Sequence, residues 1–158
     1  MSNIRSMATI ALLVLIGACA SGGALPAARS PESLPFASSL NVDFSKLTKT
    51  PTGLYFRDVE SGTGAIVQRG QTVEVRYTGW LNNGVQFDQT AAGDKPISFR
   101  VGRLQVIKGW DEGIVGMRVG GKRQLVIPPD LGYGPDRKGI IPGDATLVFV
   151  IEVVSTKG

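Results

Sequence analysis

Between residues 73 and 79 the sequence VEVRYTG alternates strictly, with Val73, Val75 and Tyr77 on one side and Glu74, Arg76 and Thr78 on the other. A period of two places successive side chains on opposite faces of a strand, so a half-buried strand is predicted here. NNG at 82–84 carries a turn signal and VQFD resumes the chain, which makes the two stretches neighbouring strands. ISFRV at 97–101 alternates through Ile97, Phe99 and Val101, and KRQLVI at 122–127 and GLYFRDVE at 53–60 are further strand candidates. ATLVFVIEVV at 145–154 is the longest run and is apolar on both faces, which predicts a central place in the sheet.

One stretch reads as a helix, QVIKGWDEGIVGM at 105–117. Asp111 and Glu112 fall near its first turn, where carboxylates offset the positive end of the dipole, and Gly120 and Gly121 lie beyond its end. Gly113 and Gly116 weaken it in isolation but allow close approach to a sheet. The predicted fold is α+β: a twisted antiparallel β-sheet, a half-barrel, wrapped around one short α-helix. PPDLGYGPDRKGIIPGD at 128–144 has no period of its own, and loops of that length in compact domains are often functional.

The N-terminus has a different pattern. A short polar stretch with Arg5 precedes an apolar run from Ala8 to Ile16 and then small residues, the layout of a secretory signal over residues 1–18. The only cysteine, Cys19, follows IGA and resembles the lipobox of bacterial lipoproteins, in which the thiol is lipidated and the chain is cut before it. The same layout also suits an uncleaved anchor or an ordinary cleaved signal with a free thiol. Residues 19–40 are rich in Ala, Ser, Pro and Gly and read as a lipidated cysteine with a flexible tether. Residues 41–51 form a lead-in, and 52–158 form the folded domain.

Composition narrows the chemistry. The 158 residues are 42% hydrophobic and 19% charged, enough for one core, and 21 glycines and nine prolines suit short strands joined by tight turns. Net charge is +4 from 17 basic and 13 acidic residues, scattered along the chain, so no nucleic-acid partner is expected. With no histidine and one cysteine, a His-based triad, a His-ligated metal, a Cys-rich zinc site and an intrachain disulfide are excluded. GTGAIV at 62–67 lacks the third glycine of a dinucleotide loop, and GYGPDRKG lacks the lysine and hydroxyl of a phosphate loop. No metal or cofactor is expected.

Four segments, VRYTGWLNNGVQFDQT, VIKGWDEGIVGM, GYG and GIIPGDATLVFVIEVV, occur in an order and spacing that resembles FKBP-type peptidyl-prolyl cis/trans isomerases. The resemblance covers roughly residues 52–156 and implies an antiparallel sheet curled around a short helix. It implies that Trp110 is the floor of an apolar pocket for a proline ring. Tyr77, Phe87, Val106, Ile107, Tyr133 and Phe149 would form its walls, with Ile97 and Phe99 also on the substrate side. Asp88 would be the buried polar partner, the Ile107 N–H and Tyr133 hydroxyl the donors to substrate carbonyls, and Ile141 part of the loop edge. Without the motif order, Tyr77, Phe87 and Phe149 read as core aromatics, Trp110 as a core anchor, Asp88 as a turn residue and Tyr133 as a loop tyrosine.

Two departures from the family pattern stand out. Ile97 replaces an aromatic found in many members, and the loop GPDRKGIIP, one residue shorter than in the best-known small members, offers Arg137 and Lys138 where a histidine is common. These bear on substrate preference and macrolide affinity. Arg118, Lys122 and Arg123 read as an exposed strand face. The expected protein is a monomer held to the membrane through its lipid only, in the cell envelope, that rotates X-Pro bonds of proline-containing segments and accepts macrolide inhibitors. A proline-peptide-binding chaperone with little turnover and a purely structural lipoprotein are the other readings.

Overall fold

A computed structural model describes residues 30–158. The expected signal segment, Cys19 and the first part of the expected tether lie outside these residues. Seven strands form one antiparallel sheet: β1 (Thr48–Lys49), β2 (Tyr55–Glu60), β3 (Thr72–Leu81), β4 (Gln86–Gln89), β5 (Ile97–Arg100), β6 (Lys122–Ile127) and β7 (Leu147–Lys157). Their order is β1-β2-β6-β7-β3-β4, with β5 also pairing with β3, and the sheet does not close into a barrel. The long apolar strand β7 is central, paired in register with β6 from Lys122↔Glu152 to Ile127↔Leu147 and with β3 along its whole length.

The two faces of β7 explain its unbroken hydrophobicity. Leu147, Phe149, Ile151 and Val153 enter the main core with Val73, Val75, Leu125, Ile127, Ile114 and Trp110. Val148 points the other way, into a second cluster with Leu40, Tyr55 and Val126, against which Phe36, Phe44, Leu47 and Trp80 pack. Each layer removes apolar surface from water on its own side of the sheet.

The packed chain therefore starts earlier than its composition suggested. Residues 31–47, of which 31–40 were expected as tether, contain three short 3-10 turns at Pro31–Ser33, Ser38–Leu40 and Phe44–Lys46. This strap is fixed to the outer face of the sheet. Phe36 and Phe44 meet edge to face at 5.5 Å, as do Phe44 and Tyr55 at 5.1 Å. Gln124 Nε2 donates to Leu40 O at 2.7 Å, and Tyr55 Oη donates to Glu32 at 2.6 Å. Six apolar residues, Phe36, Ala37, Leu40, Val42, Phe44 and Leu47, dock it from a Pro/Ser-rich background, which a compositional reading averages away.

The single helix, α1, is Lys108–Gly113, six residues rather than the thirteen the pattern suggested. A helix this short is not stable alone, so tertiary contacts hold it. An added Cβ at Gly109 would lie 2.6 Å from Ile127 Cγ2, and one at Gly113 would lie 2.8 Å from Leu125, so the helix seats directly on β6. At its C-terminal end Arg123 Nη1 donates to Gly113 O at 2.9 Å and to Val115 O at 3.3 Å, while its other nitrogens hold Asp58 at 2.7 and 3.1 Å. The guanidinium also lies 4.5 Å from the Phe56 ring centroid. Arg123 is thus 7% exposed and structural, which corrects its reading as part of an exposed strand face; Arg118 is exposed as expected.

Candidate active site

Inside the curve of the sheet, a pocket of about 420 Å³ is lined by Tyr77, Phe87, Asp88, Ile97, Gln105, Val106, Ile107, Trp110, Tyr133 and Phe149. Its floor is aromatic. The Trp110 ring meets Tyr77 at 4.8 Å and Phe149 at 5.2 Å, both edge to face, and Phe87 meets Phe149 at 5.5 Å in the same way. Such packing locks the rings into one arrangement. The Trp110 Nε1–H is buried and has no acceptor among the described residues.

Each side chain is placed by a different element. β3 supplies Tyr77, β4 supplies Phe87 and Asp88, β5 supplies Ile97, α1 supplies Trp110 and β7 supplies Phe149. Gly79 on β3 faces both Asp88 and Phe149 across the sheet. An added Cβ there would lie 2.6 Å from Phe149 Cε1 and 2.9 Å from Phe87 Cζ, so the missing side chain is what lets these rings converge. The segment carrying Gln105, Val106 and Ile107 is stapled from α1: Asp111 Oδ1 accepts from Gly102 N at 3.0 Å and Oδ2 from Leu104 N at 2.7 Å. Asp111 is 4% exposed. Although it stands in the first turn of the helix, its carboxylate holds a loop.

The polar side of the pocket is small. Tyr77 Oη donates to Asp88 Oδ2 at 2.6 Å, and the second carboxylate oxygen accepts from the Gln89 N–H at 2.9 Å. Burial, then the hydrogen bond and negative charge of Asp88, push the Tyr77 phenol far above its ordinary range. Tyr133, on the rim at 37% exposure, is raised by burial and then by the same carboxylate. Both hydroxyls are neutral donors at physiological pH. The Ile107 N–H, at the start of α1, has no acceptor among the described residues, whereas its carbonyl accepts from Trp110 and Asp111. These groups can hold an uncharged, carbonyl-bearing ligand with an apolar body; no nucleophile paired with a base is among them.

A family model described as FKBP-type peptidyl-prolyl cis-trans isomerase matches residues 64–154. The chain belongs to this family. An FK506-binding protein of Neisseria meningitidis serogroup B is 46% identical over 103 residues, covering 65% of this chain and 94% of the relative. FK506-binding protein 4 of Rhizopus delemar is 50% identical over 117 residues, and there the match covers 71% of this chain but only 29% of the relative. The chain thus spans less than a third of that fungal protein. The crystal structure of FkpA from Escherichia coli is similar with a TM-score of 0.65 and 40% identity, covering 71% of this chain and 52% of that one.

Of the residues the FKBP pattern singled out, Phe99 and Ile141 are not in the pocket lining, and Asp88 lines it without being buried. Asp88 is not buried: it stands on an exposed edge strand, with only Tyr77 and a neighbouring amide as partners. Phe99 lies behind the pocket, 5% exposed, with its ring 6.0 Å from Trp110, and supports the floor instead of lining it. Ile141 is buried beside the pocket, in an adjoining cavity that shares Phe87, Asp88 and Tyr133 with it. Gln105 and Gly79 had no assigned place. For Gly79 the signal was legible, a glycine inside a strand marking close approach. For Gln105, whose Oε1 accepts from Arg100 N at 2.7 Å, a polar residue beside two aliphatics gave none.

Proposed function

We propose that this chain is a peptidyl-prolyl cis/trans isomerase that holds the twisted X-Pro amide in the Trp110 pocket. The observation that carries the reading is a pocket with four convergent aromatic rings and neutral donors on its rim. Rotation about a peptide bond has a barrier of about 18–20 kcal/mol because resonance gives the C–N bond partial double-bond character. No bond is made or broken. Water favours the planar amide by hydrogen bonding to its polar oxygen, and twisting removes that polarity. A dry pocket that accepts the proline ring on Trp110, Tyr77 and Phe149 therefore favours the twisted state over the planar one. The Ile107 N–H and the Tyr133 hydroxyl hold the flanking carbonyls while the bond turns.

A protease-coupled or NMR exchange assay on short X-Pro peptides, with a macrolide competitor, tests this. Acceleration abolished by the competitor is the expected outcome. Peptide binding without acceleration would instead favour a chaperone.

The layout of residues 1–23 supports a second part of the proposal, that residues 1–18 are removed and Cys19 is lipidated, so that a monomeric domain works at the cell envelope on proteins folding outside the cytoplasm. Metabolic labelling with a radioactive fatty acid should mark the wild-type chain and not Cys19→Ser. Equal labelling of both would remove the anchor from the proposal.

A further inference from the structure

The strap lies outside the segment matched by the family model, yet it reaches the turn that leads into the pocket wall. β4, which carries Phe87 and Asp88, has only four residues and pairs only with β3, through a register that shifts between Gly79 and Trp80. An edge strand with one partner depends on its turn for position. That turn is tight: Gly84 N donates to Leu81 O and Leu81 N to Val85 O, both at 2.9 Å, with Gly84 at φ +88°. The strap clamps it from outside. Ala37 N donates to Asn82 O at 2.9 Å, Asn82 Nδ2 donates back to Pro35 O at 2.9 Å, and an added Cβ at Gly84 would lie 2.9 Å from Ala37 Cβ. The strap in turn is anchored by Phe36, Leu40 and Phe44 in the outer cluster, by the buried Gln124 bond to Leu40 O, and by Arg57 Nη2 donating to Asn41 O at 2.9 Å.

We propose that Asn82 is a positioning residue which, with Pro35 and Ala37 of the strap, fixes the β3–β4 turn and through it the pocket wall of Phe87 and Asp88. The catalytic unit then includes the strap. The inference rests on the isomerase reading for its effect on turnover. Phe87 follows Gly84 by three residues, about 10 Å along an extended chain, so a shift of the turn is passed to its ring and to the Asp88 carboxylate. Misplacement by about 1 Å can lower a rate by as much as a hundredfold.

The test is a double-mutant cycle in the full chain, with Asn82→Ala, Leu40→Ala and the pair compared for kcat/KM on an X-Pro peptide at a temperature where all are folded. Amide exchange at residues 86–90 is measured alongside. Asn82 has negative φ and its side chain donates only to Pro35 O, so alanine is compatible with the turn. Leu40 lies on the outer face, away from the pocket. Each single change should lower kcat/KM about threefold to tenfold and speed exchange at 86–90, and the double variant should be no worse than Leu40→Ala. Wild-type kcat/KM and exchange in Asn82→Ala would overturn the inference, as would losses that multiply in the double variant. A wild-type chain with no turnover would sink the isomerase reading instead, and exchange at 86–90 would still decide for or against the clamp.

Discussion

Tyr77 and Asp88 form a short polar contact at the edge of the largely apolar pocket, with the phenol donating at 2.6 Å. Hydrogen bonds to a charged group are worth about 1.5–3 kcal/mol, so Asp88→Ala should lower kcat/KM roughly tenfold to a hundredfold, read in the coupled peptide assay. Because burial and Asp88 raise the folded pKa of Tyr77 above that of a free phenol, the native state holds this proton more tightly than the unfolded chain. The associated stability is complete below about pH 10, the ordinary phenol value, and is lost as pH rises beyond it. Alkaline unfolding followed by circular dichroism should therefore be less steep above that pH in Tyr77→Phe than in the wild type. Gly79→Ala places a methyl where Phe149 and Phe87 converge, and overpacking of that kind costs about 1–3 kcal/mol. The variant should unfold at lower denaturant and bind X-Pro peptides more weakly. The sequence disclosed the aromatic residues of this pocket through their motifs. It could not disclose that Asp88 is exposed or that Phe99 stands behind Trp110, because burial is decided by which strand ends up at an edge.

α1 owes its existence to its surroundings. Six residues with two glycines do not form a helix on their own; β6 beneath, Asp111 toward the loop and Arg123 at the C-terminal end supply what propensity does not. Arg123→Met would leave the carbonyls of Gly113 and Val115 and the half-exposed Asp58 without their donor. Losing these should cost about 2 kcal/mol, seen as a lower urea midpoint, together with a changed fluorescence of Trp110 in a Trp80→Phe background. Strands were readable because alternation survives in β3 and β5 and because a run apolar on both sides has few other places to go. The helix was overread at both ends: Gln105 and Val106 lie in a bend that leads into the helix, after the loop that Asp111 grips, and Gly116, at φ +81°, stands in the turn that follows. Neither tertiary staple has a local sequence signature.

At the scale of the whole molecule, two apolar layers share one sheet. The outer layer is thin, and Leu40, 7% exposed, is the strap's most buried member of it. Leu40→Ala should lower stability by about 2–3 kcal/mol, measurable by thermal or urea unfolding. The boundary of the folded domain was legible only to within some twenty residues, since docking of 31–47 depends on a partner surface formed by Tyr55, Val126 and Val148, far away in the chain. A further consequence follows from the central position of β7. This strand leaves the ribosome after the six others, yet β6 and β3 meet only through it. Until residue 157 has emerged, the nascent chain has two half-sheets with exposed inner edges and no core between them. Closure of this sheet is therefore an event that waits for β7, the strand that carries Phe149 of the pocket.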